Sequence, residues 1–134
     1  MEADQALTEQ LRAAMPLAAT IGLELVAASP EEVRARIEHR GDLTTAGGVL
    51  HGGVLMSVAD AAGAFCAFLN LPEGGGGTAT IESKTNFFAA VRSGRVEARS
   101  RPLHRGRRTI VIETDLYDDT GKHVARVTQT QAVL

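Results

Sequence analysis

Hydrophobic and polar positions alternate with a period of two over much of this chain, and the rhythm changes to a helical one in only two places. From Glu32 the alternation sets Glu32, Arg34, Arg36, Glu38 and Arg40 on one face and Val33, Ala35 and Ile37 on the other. That is the mark of a half-buried antiparallel strand with water on one side. The same rhythm predicts strands over 78–89, 95–104, 108–117 and 123–134, and the run Ile21-Gly22-Leu23-Glu24-Leu25-Val26 reads as a further strand. Turn signals at Ser93-Gly94, Arg105-Gly106 and Asp118-Asp119-Thr120-Gly121 join the later strands as hairpins, and Gly74–Gly77 is a flexible connection.

Helical spacing appears first over residues 4–15, where Leu7, Leu11 and Met15 recur every four residues and Pro16 closes the helix or opens the next element. It appears again over 53–69, after a loop at 41–50, in a stretch that is apolar on almost every side. Such a helix is a buried one. On a helical wheel, Gly53, Ser57, Asp60, Ala64 and Ala67 form a small and polar stripe, and Val54, Val58, Ala61, Phe65 and Phe68 form a large apolar one. The large stripe is expected to face the sheet, leaving the small stripe beside a cavity or a second chain. The sum is an α+β chain in which a curved antiparallel sheet of about six strands wraps one long central helix. A single sheet covers one side of that helix, so a homodimer with helices facing each other is expected to cover the rest. With no repeat or linker, residues 1–134 read as one domain, with 1–16 as an N-terminal helix packed on it.

Composition narrows the function. The 14 Lys+Arg and 16 Asp+Glu give a net charge of −2 and are mixed along the chain, which argues against a nucleic-acid partner. The local density of arginine from Arg92 to Arg108 suits a small anionic ligand better than a polyanion. The single cysteine, Cys66, lies in the apolar helix; it excludes an internal disulfide, fits a reducing compartment and reads as a buried inert thiol. No apolar run approaches the roughly 20 residues that span a bilayer, and the acidic start Met1-Glu2-Ala3-Asp4 lacks a signal-peptide pattern. A cytoplasmic location, away from membranes, is expected. His39, His104 and His123 have no ligand-like spacing, so no metal site and no cofactor are expected.

The candidate chemistry lies on the apolar helix. Asp60 is its one carboxylate, and a buried carboxylate is ordinarily paired, protonated or functional. His51, Gly52 and Gly53 stand at the helix start, where backbone N–H groups lack partners and developing negative charge is favoured. That is the layout of an oxyanion site for acyl transfer. The plainer readings are an aspartate bonded across an interface, an N-capping histidine, and glycines that merely make the turn.

Taken together, His51-Gly52-Gly53, Asp60 nine positions after His51, Thr80–Phe87, Gly94, the Arg105-Gly106-Arg107-Arg108 hairpin and Asp119–Ala125 resemble the hotdog-fold acyl-CoA thioesterases of the PaaI-like, phenylacetate-degradation type. The resemblance covers about residues 20–134. It implies an acyl-CoA substrate cleaved to a carboxylic acid and free coenzyme A, with Asp60 as general base or nucleophile. It also implies the Gly52 N–H as oxyanion donor, His51 as an orienting group, and a hydroxyl from Thr80 (or Thr78) holding the attacking water. Sites of the family form across a dimer interface, and its dimers often pair into tetramers. Thr45, Gly53 and Ser57 are candidate substrate contacts. Thr45 stands where many relatives carry asparagine, and a hydroxyl does not reproduce an amide's paired donor and acceptor. Arg105, Arg107 and Arg108 are candidates for the coenzyme A phosphates, with Arg92 and Arg95 nearby; a solvated sheet face explains Arg95, Arg99 and Arg101 equally well. The competing readings are a non-catalytic acyl-CoA binding module on the same fold, and a hydratase, which would need a histidine within the helix. Phe65, Phe68, Phe87 and Phe88 are either an aryl or medium-chain pocket or simple core.

Overall fold

The computed structural model describes residues 1–134. Helix α1 (Gln5–Ala14) starts at Asp4, whose carboxylate accepts the Leu7 N–H at 3.0 Å. Pro16 supplies the first residue of a second short helix, α2 (Pro16–Ile21), which Gly22 ends in the left-handed conformation at φ +74°. Ile21 and Gly22, expected to open a strand, therefore close a helix, and β1 (Glu24–Ala28) begins only beyond them. The cause is local: a proline fixes the helical φ at the start, and the glycine takes the turn at the end. Strand β2 (Val33–Glu38) follows, then the central helix α3 (Gly52–Phe68), β3 (Thr78–Phe87), β4 (Arg95–Arg105), β5 (Thr109–Asp118) and β6 (His123–Val133).

All six strands join one antiparallel sheet in the order β1-β2-β4-β5-β6-β3. The expected alternation holds: Val33, Ala35, Ile37, Val96, Ala98, Ile110, Ile112, Ala125 and Val127 are buried beneath α3. The opposite face carries charge pairs, among them Arg34–Glu97 at 2.7 Å, Arg99–Glu97 at 2.7 Å and Arg36–Glu24 at 3.4 Å. Asp115 is buried on that face beneath Arg101, Arg126 and His123. Burial pushes its carboxyl up, but the Arg126 and His123 hydrogen bonds outweigh this and hold it below the usual carboxylate range. Helix α1 is tied to the sheet edge through the Thr8 hydroxyl, which accepts the Leu25 N–H at 2.9 Å.

One expectation about α3 is corrected. Its sheet-facing side is Leu55, Val58, Ala59, Ala62, Gly63, Cys66 and Ala67, whereas Val54, Ala61 and Phe65 are only half-buried and Phe68 is 53% exposed. The face is rotated because the sheet packs close against the helix, and close packing selects small residues rather than large ones. Ala67 thus belongs to the core and not to the open stripe; Gly53, Ser57, Asp60 and Ala64 do lie on the open side. Cys66 is a core thiol that donates to the Ser100 carbonyl at 3.6 Å, and burial pushes it up to about 11. Apolar surface remains uncovered along this side: Met56 and Phe68 on α3, Ile81 and Phe87 on β3, which is a sheet edge, and Phe88 just beyond it. Phe68, Phe87 and Phe88 are consequently not core residues of the single chain. No helix is long and apolar enough to cross a membrane.

Candidate active site

His51 is the N-cap of α3, held at φ −63° and ψ 132°, and its ring Nδ1 accepts the Gly53 N–H at 2.8 Å. The Val54 N–H donates to the His51 carbonyl at 2.9 Å. Gly53 is thereby engaged, and Gly52 is the first helical residue whose N–H has no partner within the chain. A side chain at Gly52 would meet the Phe87 ring, its Cβ lying 3.0 Å from Cζ, so glycine is what lets the phenyl cover the helix start.

Two turns on, Asp60 is exposed at the edge of α3. Its Oδ1 accepts the Thr80 hydroxyl at 2.8 Å and the Gln129 Nε2 amide at 3.2 Å, and the Gln131 amide donates to Thr80 Oγ1 at 2.7 Å. The Thr80 hydrogen is spent on Asp60, so any water held at Thr80 has to donate to it. Both donors converge on Oδ1, leaving Oδ2 free on the open side.

Thr80 reaches this position through a β-bulge. Thr80 opposes Gln131 and Glu82 opposes the next residue, Thr130, so Ile81 is the extra residue. Thr80 and Ser83 therefore both point inward, and Glu82 points outward, where it accepts the Thr130 hydroxyl at 2.9 Å. Without the extra residue, the alternation counted back from Ser83 would aim Thr80 at solvent. Thr78 and Thr80 share this face, and Thr80 is the one whose hydroxyl reaches Asp60. Gln129 and Gln131 escaped the sequence reading, although a signal was present: they share the inward parity of Val127 on β6, where an apolar pair belongs.

Two clefts open between the N-terminal segment and α3, the first of them at the carboxylate. One, of about 230 Å³, is walled by Met15, Leu17, Ala18 and Ile21 from the N-terminal helices and by Ala61 and Ala64, with Ser57 and Asp60 at its rim. The other, of about 320 Å³, runs between α1 and the far half of α3 against Phe65 and Phe68. The Ser57 hydroxyl donates back to the Gly53 carbonyl at 2.8 Å.

Thr45 lies on the exposed loop before α3, away from this cluster, where its N–H donates to the Val49 carbonyl at 2.8 Å. Arg92 donates to the Gly47 carbonyl of the same loop at 3.3 Å, and Arg95 pairs with Glu38 at 2.8 Å, so both are engaged. Arg105, Arg107 and Arg108 are exposed and enter none of the chain's ion pairs. Their hairpin abuts the end of β6, one strand from the start of β3: the Val133 N–H donates to the Arg108 carbonyl at 2.8 Å, and Val133 opposes Thr78.

Residues 47–125 match the family model of the thioesterase superfamily. The chain belongs to the thioesterase superfamily. Within it, Rv1847 of Mycobacterium tuberculosis is 33% identical over 118 residues, covering 87% of this chain and 84% of that protein. The solved structure of that protein superposes with a TM-score of 0.86 over 90% of this chain and 97% of its own. The 1,4-dihydroxy-2-naphthoyl-CoA hydrolase of Escherichia coli is 30% identical over 111 residues, covering 74% of this chain and 81% of the relative. A mutant of the phenylacetic acid degradation protein PaaI of Thermus thermophilus is 28% identical, with a TM-score of 0.81 over 89% of this chain and 99% of that one. The fold is therefore the hotdog fold of PaaI-like thioesterases, and the chemistry of the superfamily is hydrolysis.

Proposed function

We propose that this superfamily member is an acyl-CoA thioester hydrolase whose reaction centre is completed by a second copy of the chain. The observation that carries the reading is the separation of two groups on one helix. Gly52 and Asp60 are eight residues apart, roughly 12 Å along the axis at 1.5 Å per residue. One thioester carbonyl has to lie within about 3 Å of an oxyanion donor while its carbon meets the activated oxygen. A single chain does not bring these two groups to one carbonyl.

A homodimer does. Strand β3 is an unpaired edge ten residues long that carries exposed Ile81 and Phe87. Pairing it antiparallel with its own copy reverses the strand, so the partner's Phe87 end arrives at this chain's Thr80 end. With Phe87 comes the Gly52 N–H packed beside it. The basic hairpin at the Thr78 end then stands next to the same site, where Arg105, Arg107 and Arg108 are free to take the coenzyme A phosphates.

In the reaction, Oδ2 of Asp60 takes a proton from water as the water oxygen bonds to the thioester carbon. The Gly52 N–H of the partner subunit receives the charge that develops on the carbonyl oxygen. The C–S bond then breaks, and the departing thiolate is protonated to free coenzyme A. No cofactor enters the scheme. The apolar walls at Met15, Leu17 and Ala61 suit an aryl or aliphatic acyl group. The named activity of the E. coli relative, on a naphthoyl-CoA, supports testing aryl esters first.

The experiment is free-thiol release across phenylacetyl-, hydroxybenzoyl- and straight-chain acyl-CoAs. Asp60→Asn is expected to lose about two to four orders of magnitude in kcat, the range for removing a general base. Turnover unchanged in Asp60→Asn overturns the mechanism, and stoichiometric acyl-CoA binding without thiol release by the wild type makes the chain a binding module instead. Retention of Asp60 with its donors in place speaks against the latter.

A further inference from the structure

Gln129 and Gln131 are fully buried, and the carboxamide oxygen of each has no hydrogen-bond partner. A buried polar atom without a partner costs stability, and methionine or leucine would fill either position without that cost. What the two side chains do make is a directed chain of donors. Asp60 Oδ1 only accepts, so the Gln129 group facing it has to be the amide nitrogen. Thr80 gives its one hydrogen to Asp60, so it has to accept from Gln131, whose amide nitrogen therefore faces it. Each glutamine is oriented by Asp60, directly or through Thr80, and each leaves its oxygen stranded as a result.

The helix is shaped to admit this arrangement. Gly63 lies on the sheet-facing side of α3, three residues after Asp60, with ordinary helical φ, so no backbone strain calls for glycine there. A Cβ built at Gly63 would overlap the Gln129 carboxamide, lying 2.7 Å from its Cδ. The missing methyl is the space through which Gln129 passes beneath the helix to reach Asp60.

We propose that Gln129 is a positioning residue for Asp60, admitted by Gly63 and seconded by Gln131 through Thr80. This inference rests on the reading of Asp60 as the reacting carboxylate. By fixing Oδ1 from beneath, the pair turns Oδ2 toward the open side and holds it there, at a cost in stability that a purely structural residue would not impose.

The test is Gln129→Met, which keeps the length and bulk of the side chain and removes both the donor and the stranded oxygen. The expected result is a kcat about ten- to a hundredfold lower, the worth of one hydrogen bond to a charged group, with KM within about twofold and Tm unchanged or raised. An unchanged kcat, or a lower Tm with kcat kept, overturns the inference. Gly63→Ala is expected to lower both Tm and kcat, and adding Gln129→Ala restores Tm by vacating the space while kcat stays low. Recovery of kcat together with Tm in that double variant makes the pair structural and overturns the inference; the double variant also decides the matter if Gln129→Met does not fold. Asp60→Asn, assayed alongside, separates the two levels. If Asp60→Asn is inactive while Gln129→Met is fully active, the positioning role alone falls; if Asp60→Asn is fully active, the reading of the site falls.

Discussion

The Thr80 hydroxyl donates to Asp60 Oδ1 at 2.8 Å because the extra residue Ile81 turns Thr80 inward on an edge strand. The contact joins the sheet edge to the central helix at the one carboxylate of α3, and its donor has a near-isosteric replacement. Thr80→Val keeps the shape and β-branching and deletes the donor, so kcat should fall about tenfold or more. Thr80→Ser should retain most of it. Parallel measurement of kcat and Tm decides the matter, since equal losses in both variants would assign the effect to packing.

The Gly52 N–H offers a substitution that removes a backbone donor cleanly. Gly52 is the first helical residue, where proline is tolerated, and His51 at φ −63° and ψ 132° already has the backbone that precedes proline. Gly52→Ala adds the Cβ that presses on Phe87 but keeps the N–H, and so serves as the control. Gly52→Pro should lose about 10²–10³ in kcat, the usual cost of one oxyanion donor, and Gly52→Ala much less. Equal losses in the two variants would show that the Phe87 contact, not the N–H, is what matters.

A two-chain site makes a further demand. Gly52→Pro and Asp60→Asn homodimers each lack one half of both sites. Refolded together at equal amounts, half of the dimers are mixed, and each mixed dimer has one site with the partner's intact half. Recovered activity should approach about a quarter of wild type by random pairing of subunits. No recovery on mixing, with dimers present by sedimentation, would place both groups in one chain's site.

The strands were legible because alternation is decided residue by residue: Val33, Ala35 and Ile37 are inside, and Arg34 and Arg36 outside, whatever the rest of the chain does. The orientation of α3 was not, because residue size misleads about burial where a sheet packs close against a helix. Ala59, Ala62 and Gly63 go to the sheet since they let it approach, and Phe68 is left outside. Asp60, His51 and Gly52 stood out through their chemistry and their place on one helix. Gln129 and Gln131 did not, because their meaning depends on a strand 69 residues away in sequence lying under Asp60. The inward turn of Thr80 needed the bulge, which leaves no trace in composition.

Acid should weaken the fold through the outer sheet face. Asp115 and Glu97 have ordinary values of 3.8 and 4.5; burial raises each, but hydrogen bonds from Arg126 and His123, and from Arg34 and Arg99, outweigh it. Carboxyls lowered in the folded state stabilise it above their unfolded values, and that contribution is lost as pH falls through the folded ones. Tm is therefore expected to hold near pH 6 and to drop below about pH 4, with a shallower drop in Asp115→Asn. An acid profile identical in Asp115→Asn and wild type would remove the Asp115 cluster as a cause.

The basic hairpin separates recognition of coenzyme A from chemistry at the thioester. Arg105, Arg107 and Arg108 lie outside every ion pair of the chain, one strand from the Thr78 end of β3, so their guanidinium groups are free for an anion. If they bind the phosphates of coenzyme A, their removal should matter only for substrates that carry phosphate. Arg107→Ala/Arg108→Ala should raise KM for an acyl-CoA about tenfold, the order expected for exposed charge-assisted hydrogen bonds, with kcat little changed. The same acyl group on N-acetylcysteamine has the thioester but no phosphate, and its kcat/KM should be equal in the double variant and the wild type. Rising salt should raise KM for the acyl-CoA in the wild type and much less in the variant, since screening acts only on charge pairs that exist. A KM increase of the same size for both thioesters would mean that the hairpin supports the acyl site mechanically, and the phosphate assignment would fall.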